Sequence, residues 1–221
     1  MLAIVCMMRT AGAYLDHFIE RVNALDELTT LRVIVGENDS RDDTKERLAA
    51  WRESADYEVT VLDCGDGSEH FGSVDDERRW RSIAGVMNKV LDEVKDTDRE
   101  VMYVDADLYW DPLMVLRLLM KLDNMKLDVI CPFSMFQGRA FDLWGTRRQG
   151  ARIARRDPHW PDVAAVGRVE VDSAACLNVM DAHWARVARF GESNANVGWH
   201  DEMRAKGAKI WLDFDERVVH P

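Results

Sequence analysis

The chain has 221 residues, 47% of them hydrophobic, which is enough for one compact core and excludes general disorder. Its 29 Lys and Arg against 40 Asp and Glu give a formal net charge of −11, which argues against a protein that coats nucleic acid or an anionic membrane. No apolar run approaches the ~20 residues of a membrane-spanning helix. The opening MLAIVCMM has no basic residue before its apolar run, which favours a first core strand over a targeting signal. The four cysteines have no C-x-x-C spacing, so we expect free thiols and a cytoplasmic location.

The first 130 residues alternate between strand and helix patterns. The predicted strands are Leu2–Met7, Leu31–Val35, Tyr57–Leu62, Val101–Val104 and one that begins at Asp128–Cys131. The predicted helices between them run from Tyr14 to Leu28, from a capping box at Ser40 to Glu53, from a cap at Ser73 to about Val94, and from Pro112 to Leu122. This alternation predicts an α/β domain with a mostly parallel central sheet.

The alternation ends after residue 133. The segment Ser134–Asp162 is aromatic, rich in arginine and without a clear period, which indicates a functional loop region or a small subdomain. Later strands are predicted at Val169–Val171, Cys176–Val179 and Lys209–Leu212, and later helices near Ala182–Phe190 and Val197–Lys206. With no internal repeat and no low-complexity linker, the sequence predicts one domain over residues 1–221.

Polar clusters follow two of the predicted strands, where an open α/β sheet collects its ligands. The segment 37–44 reads ENDSRDDT, and Asp105-Ala-Asp107 follows the strand VMYV. Carboxylates at such positions can hydrogen-bond a base or ribose, or hold a hard divalent ion near a diphosphate. Two other D-x-D pairs occur: Asp96/Asp98 lies in a charged turn and is expected to be solvated surface, whereas Asp213/Asp215 follows a short strand and stays a rival.

Six segments in this order resemble the nucleotide-sugar-dependent glycosyltransferases of the GT-A fold. They are ENDSRDDT at 37–44, RRWRSIAGVMNKVLD at 78–92, YVDADLYWDP at 103–112, FDLWG at 141–145, VDSAACLNVM at 171–180 and WLDFDERVVH at 211–220. The closest likeness is to the yeast mannan polymerase and fungal capsular mannosyltransferase type, and family-2-like transferases are more distant. The resemblance implies a Rossmann-like GT-A domain, with a nucleotide-binding half at 1–132 and an acceptor and metal-completing half, partly irregular, at 133–221.

The resemblance also implies a donor site for a nucleoside-diphosphate sugar. Glu37 and Asp39 would contact the nucleoside, although helix-capping charge explains them equally well. Arg81 would reach the diphosphate, with Arg78 and Asn88 nearby on the same predicted helix. Two further groups complete this site: Asp105 would meet the ribose or a metal-bound water, and Asp107 with His220 would ligate Mn²⁺ or Mg²⁺.

The acceptor side is implied by residues of the second half. Asp142 and Trp144 would form a sugar-binding wall. Asp201 and Glu202 would supply a general base if the reaction inverts the anomeric carbon, with Glu192 behind them, whereas a retaining reaction needs no such base. The stereochemistry stays open.

An arginine-rich run begins at Arg139 and ends at Arg156. It includes Arg147 and Arg148 and carries six arginines with one acid, which gives +5 in a chain of net charge −11. The run favours an anionic acceptor: a phosphorylated glycan or lipid, or a nucleic acid with a hydroxylated base.

Other functions are less well supported. A nucleotidyltransferase would need a glycine-rich basic loop after the first strand. An Asp-nucleophile phosphatase would carry its D-x-D there, and a dinucleotide enzyme would show a glycine fingerprint. A glycosyltransferase that modifies hydroxylated bases in DNA is the alternative within the same class. A non-catalytic nucleotide-sugar-binding module is the alternative from another class.

Overall fold

The computed structural model describes residues 1–67, 71, 76–141, 145–148, 166–174, 176–191 and 195–221. Its strands are β1 Leu2–Met8, β2 Leu31–Glu37, β3 Glu58–Asp63, β4 Glu100–Val104, β5 Val129–Phe136, β6 Arg139–Ala140, β7 Arg147–Arg148, β8 Arg168–Ser173, β9 Leu177–Asp181 and β10 Ile210–Val219. Its helices are α1 Gly12–Asp26, α2 Thr44–Ser54, α3 Glu77–Asp92, α4 Pro112–Met125, α5 Ala182–Val187 and α6 Ala195–Ala205.

All the strands join one mixed sheet, in the order β3-β2-β1-β4-β9-β5-β10-β8-β7, with β6 paired to β5. The first four strands of that order are parallel, and β5 and β10 are also parallel to each other. β9 is antiparallel to both β4 and β5, so the carboxyl ends of β4, β5 and β10 lie on the same edge of the sheet. The predicted α/β architecture with a mostly parallel centre is therefore confirmed.

Helices cover both faces of the sheet, which explains the unbroken apolar sequence of β1. Its residues Leu2, Ile4, Cys6 and Met8 pack into a core with α1, α2 and α4, whereas the alternating Ala3 and Val5 pack into a second core with α3, α5 and α6. This division follows the two-residue period of a strand. Gly36 allows α3 to approach β2 closely, because a Cβ there would lie 2.5 Å from Cγ1 of Val86.

Two predicted helix starts are wrong. Helix α2 begins at Thr44 rather than near Ser40, and the hydroxyl of Ser40 instead accepts a hydrogen bond from the backbone N–H of Thr10. Helix α3 begins at Glu77 and not after Ser73, because the Asp76 carboxylate caps it by accepting from the N–H of Arg78. At α3 a polar residue nearer the first apolar position caps the helix, whereas Asp43, which precedes α2, makes no side-chain capping bond.

The prediction of solvated surface for Asp96/Asp98 holds for Asp96 and is wrong for Asp98. Asp98 is 3% exposed, and its Oδ2 lies 2.7 Å from Nη2 of Arg32, which is wholly buried in β2. Its carboxylate also accepts from the backbone N–H of Lys95 at 2.7 Å. This ion pair lies where β2 and β4 begin, at the edge of the sheet opposite the acidic clusters.

The rival pair Asp213/Asp215 is occupied by structural contacts. Asp213 is wholly buried and lies 3.0 Å from Nζ of Lys121 on α4, and the neighbouring Glu216 receives a bidentate hydrogen bond from Arg117. Asp215 accepts from the N–H of Gly167. These contacts tie the register shift of β10 to α4 and β8. Among the helices that the structure describes, none is long and apolar enough to cross a membrane.

Candidate active site

Three parallel strands end together at the edge of the sheet that carries the acidic clusters. Met8 of β1, Glu37 of β2 and Asp63 of β3 are in register, and the N–H of Asn38 bonds to the carbonyl of Met8 at 3.0 Å. The loop 9–11 after β1, the loop 38–43 after β2 and the loop that begins at residue 64 therefore lie side by side. This is where an α/β sheet binds its ligand.

The segment 37–44 fixes the loop after β1. Besides the bond from Thr10 to Ser40, the N–H of Ala11 donates to Oγ1 of Thr44 at 2.9 Å, and the N–H of Gly12 donates to Oδ2 of Asp42 at 2.9 Å. Thr10 has φ 54°, a left-handed conformation that is rare for a β-branched residue. The ENDSRDDT segment thus holds a strained loop at the site, a role that its sequence did not reveal.

The two predicted nucleoside contacts shape the loops around the site. Glu37 is 3% exposed, and its carboxylate accepts from the N–H of Ser40 at 2.7 Å and lies 3.2 Å from Nζ of Lys45. Asp39 accepts at Oδ2 from the N–H groups of Asp66 at 2.9 Å and Gly67 at 2.8 Å. Both carboxylates therefore hold the loops at this edge of the sheet, and their direct contact with a nucleoside stays a prediction.

The three polar residues predicted on α3 have different surroundings. Arg81 is exposed and lies 3.3 Å from Glu77 one turn earlier. Arg78 forms a pair with the capping Asp76, and its guanidinium stands 5.8 Å from the ring of Phe71. Asn88 has a structural role, because its side-chain amide bonds to the backbone N–H and carbonyl of Phe190. Arg81 stays the predicted diphosphate contact.

Asp107 and His220 meet at the site. Nε2 of His220 lies 3.2 Å from Oδ2 of Asp107, and both side chains are about a third exposed, at 27% and 32%. Two backbone hydrogen bonds between Tyr109 and Val219, of 2.8 and 3.0 Å, carry the chain after β4 across to the end of β10. The ring of Phe141 packs against the imidazole with centroids 4.2 Å apart. The sequence-predicted metal pair is therefore brought together.

Asp105 is held by groups that the sequence analysis did not single out. Its backbone N–H donates to the carbonyl of Cys176 at 2.8 Å, and its Oδ1 accepts a short hydrogen bond from the hydroxyl of Tyr103. Nδ2 of Asn196, in the first turn of α6, donates to the same hydroxyl at 3.4 Å. Burial and the charge of Asp105 hold the pKa of Tyr103 well above its usual value, so the phenol keeps its proton and donates it.

A signal for Tyr103 was present in the sequence. Residues two apart on a strand point to the same face, so a tyrosine at 103 can reach a carboxylate at 105. Asn196 could not be found in this way, because only the tertiary packing of α6 brings it to β4. The aromatic rings of Phe190 and Trp199 pack against Tyr103, at 5.7 and 6.0 Å between centroids.

The predicted acceptor residue Arg147 and the predicted base Asp201 form an ion pair. Arg147 also donates to Oγ of Ser173 at 2.9 Å, and Asp201 lies 3.5 Å from Arg204. Glu202, the other predicted base, accepts from the backbone N–H of Arg189 at 2.8 Å. Both acids lie more than one helical turn beyond Asn196, the α6 residue that contacts Tyr103. Their roles as bases stay predictions.

Several predicted residues lie outside the described part of the chain. These are Asp142, Trp144, Glu192 and the whole part of the arginine-rich run that follows Arg148. Arg148 belongs to β7, where its backbone pairs with Val171, but its side chain is not described.

The donor atoms at Asp107 and His220 suit a divalent cation. One carboxylate oxygen and one imidazole nitrogen form a mixed set of the kind that manganese accepts. Across the described ranges no group of three or more His, Cys, Asp and Glu side chains could hold a metal ion. A metal at this pair would therefore take its other ligands from a bound diphosphate and water, as Mg²⁺ does in many phosphate sites.

Comparison with known proteins identifies the family. The profile described as glycosyl transferase family 2 matches residues 2–169, which is most of the chain. The chain belongs to this family. The predicted resemblance to GT-A glycosyltransferases is thus confirmed at the level of family 2, the type that the sequence analysis placed further away, and the narrower likeness to yeast mannan polymerase is not. No curated protein matches the chain.

Several solved structures have a similar fold over nearly all of this chain, at low sequence identity. A fragment of S. aureus TarS, residues 1–349, superposes with a TM-score of 0.62 and 14% identity over 99% of this chain and 59% of that one. The mannosyltransferase PcManGT from Pyrobaculum calidifontis, in complex with GDP-Man and Mn²⁺, gives 0.64 and 13% over 99% and 56%. A mycobacterial protein gives 0.54 and 14% over 100% and 67%. The family 2 chain described here therefore shares their fold and spans about three fifths of TarS 1–349.

Proposed function

We propose that this family 2 chain transfers a sugar from a nucleoside-diphosphate sugar to an acceptor hydroxyl. The observation that carries the proposal is the contact between Asp107 and His220 at the carboxyl ends of β4 and β10. Residues 1–132 would bind the donor and residues 133–221 the acceptor. The TarS fragment in complex with UDP-GlcNAc and the GDP-Man complex of PcManGT support a nucleotide-sugar donor.

Asp107 and His220 would hold Mn²⁺ or Mg²⁺ beside the donor diphosphate, with Asp105 at the ribose or at a metal-bound water. A bound divalent ion offsets the negative charge that develops on the leaving diphosphate. Arg81 would add a guanidinium to the same diphosphate. Glu37 and Asp39 would border the nucleoside through the loops that they organise.

The acceptor side of the proposal rests on Asp142, Trp144, Arg147 and Arg148, with Asp201 and Glu202 as the candidate bases. Arg147 already neutralises Asp201 in the free protein, so a group that binds this arginine would also release the carboxylate. This arrangement supports an anionic acceptor, because an acceptor anion would replace Asp201 as the partner of Arg147.

Thermal unfolding with five nucleoside diphosphates tests the donor site. UDP, GDP, CDP, dTDP and ADP are each added to the purified protein with MnCl₂ and with EDTA. A ligand that binds only the folded state raises the melting temperature by mass action. We expect one diphosphate to raise it in MnCl₂ and to lose that effect in EDTA. No shift with any of the five would contradict the donor-site assignment.

A further inference from the structure

The carboxylate of Asp105, the first of the D-x-D pair, is anchored by a series of hydrogen bonds that begins on helix α6. Asn196 of α6 donates to the Tyr103 hydroxyl, and that hydroxyl donates to Oδ1 of Asp105. The series connects the second half of the molecule to the proposed donor site. Tyr103, in the middle of this series of hydrogen bonds, is 5% exposed.

Packing restricts this tyrosine to one position. Its ring meets Phe190 and Trp199, and the rings of those two residues stack on each other at 4.4 Å and 21°. Phe190 is fixed in turn by the amide of Asn88 on α3, through bonds of 2.8 and 3.2 Å. The phenol therefore cannot follow the carboxylate if Asp105 moves, and its hydroxyl acts as a hydrogen-bond donor with a fixed position.

We propose that Tyr103 and Asn196 are positioning residues, which hold the Asp105 carboxylate in the orientation that binds the donor. The inference rests on the proposed function. It adds two residues that contact neither the donor nor a metal and that act through Asp105. A hydrogen bond to a charged group is stronger than one between neutral groups, and a buried one is less exposed to competition from water.

The inference predicts how affinity and turnover divide. Tyr103→Phe keeps the ring packing and removes only the hydroxyl, so the Asp105 carboxylate loses the hydrogen bond that fixes its orientation. We expect the dissociation constants of UDP or GDP, whichever binds in MnCl₂, to rise on the order of tenfold. In a donor-cleavage assay, KM for the matching nucleotide sugar should rise by a similar factor, with kcat changing less. Asn196→Ala should produce a smaller change in the same direction.

Tyr57→Phe is the matched control. It removes a part-buried hydroxyl that bonds to Asn23 and Trp51 on the far side of the sheet from α6. It should lower thermal stability to a similar degree without changing diphosphate affinity. If Tyr103→Phe, like the control, lowers thermal stability but leaves the dissociation constant of the diphosphate within twofold of wild type, the tyrosine is structural and the inference is overturned.

A second measurement separates this inference from the proposed function. Unfolding free energies are compared for wild type, Tyr103→Phe, Asp105→Asn and the double variant. We expect the two single changes to be non-additive, because they remove the same contact. Additive effects would overturn the inference even if the protein binds a diphosphate. If wild type binds none of the five diphosphates in MnCl₂, the proposed function fails, and the positioning role that rests on it is overturned with it, whatever the additivity shows.

Discussion

His220 lies 3.2 Å from Asp107 although two strands, β9 and β5, stand between β4 and β10 in the sheet. The backbone bridge between Tyr109 and Val219 makes this contact possible, and the N–H of His220 is fixed by the carbonyl of Met135 at 2.8 Å. The end of the described chain is therefore part of the site. An aspartate that follows one strand and a histidine that follows a distant one are thus held in contact, as the proposed cation site requires.

Replacing His220 should weaken the binding of the metal ion. His220→Ala leaves Asp107 as the one remaining member of the pair, so the Mn²⁺ concentration that half-saturates diphosphate binding should rise about tenfold or more. Titration of MnCl₂ at fixed UDP or GDP measures it. His183→Gln is the matched control, since His183 is exposed on α5 after the far end of β9. Equal Mn²⁺ dependence in both variants would contradict the assignment of His220.

The hydroxyl of Thr44 should be needed for the loop after β1. Thr44 is wholly buried, accepts from the N–H of Ala11 at 2.9 Å and donates to Asp42 at 2.5 Å. Thr44→Val keeps the shape of the side chain but leaves the Ala11 N–H without its hydrogen-bond acceptor, which should cost about 1–3 kcal/mol in the free energy of unfolding. Thr44→Ser keeps the hydroxyl and should cost much less. Denaturant unfolding of the two variants decides, and equal losses would rule out the hydrogen bonds as the cause.

The buried pair of Asp98 and Arg32 should set part of the acid stability. Burial alone would raise the pKa of Asp98, but hydrogen bonds from Arg32 and from the N–H of Lys95, with the charge of Arg32, lower it overall. A lowered pKa stabilises the folded state above the unfolded value of about 3.9, and this contribution is lost as pH falls below it.

Asp98→Asn should therefore destabilise the protein by about 3 kcal/mol near pH 7, because it removes one partner of a buried ion pair. The loss should shrink as the pH falls towards 3. Asp96→Asn, in the same turn but with a fully exposed side chain, should change the unfolding free energy little at either pH. A loss for Asp98→Asn that is the same at pH 7 and pH 3.5 would refute the role of its charge.

His200 should give the protein a second sensitivity to acid, which begins at a higher pH. Burial lowers the pKa of this wholly buried histidine to about 3, with the charges of Arg147 and Arg204 adding to the effect. The folded state therefore keeps the imidazole neutral, whereas the unfolded chain binds a proton below about pH 6.5. Stability from this group is present above that pH and is lost as the pH falls.

Between pH 6.5 and 5, wild type should lose about 2 kcal/mol more unfolding free energy than His200→Gln, which does not titrate. Urea unfolding at the two pH values measures the difference. Parallel losses in the two proteins would mean that the folded state protonates His200 without cost.

The sequence predicted the strand–helix order of the first half because each element carries its own local pattern. Strand β1 is a continuous apolar run, α3 has apolar residues at helical spacing, and Pro112 begins α4 as predicted. Asp107 and His220 could be paired only through the family resemblance, since no local pattern connects them. Asn196 was missed because its contact with Tyr103 depends on how α6 packs on β4.

Local charge was the least reliable guide to surface. The KDTDRE turn is charged at every position except Thr97, yet Asp98 is buried because Arg32, the second residue of the apolar strand β2, needs a partner there. The isolated arginine in LRVIV was the signal that a carboxylate had to be buried beside it.

Donor cleavage tests the central claim most directly. Purified wild type and Asp107→Asn are incubated with UDP-glucose, UDP-GlcNAc and GDP-mannose in MnCl₂ and in EDTA, and the released nucleoside diphosphate is measured over time. A glycosyltransferase with the proposed site should release diphosphate from one of these donors, and both EDTA and Asp107→Asn should abolish that release. Diphosphate binding without release from any donor would instead indicate a binding module. Release that is unchanged by EDTA and by Asp107→Asn would contradict a metal-dependent site at Asp107 and His220.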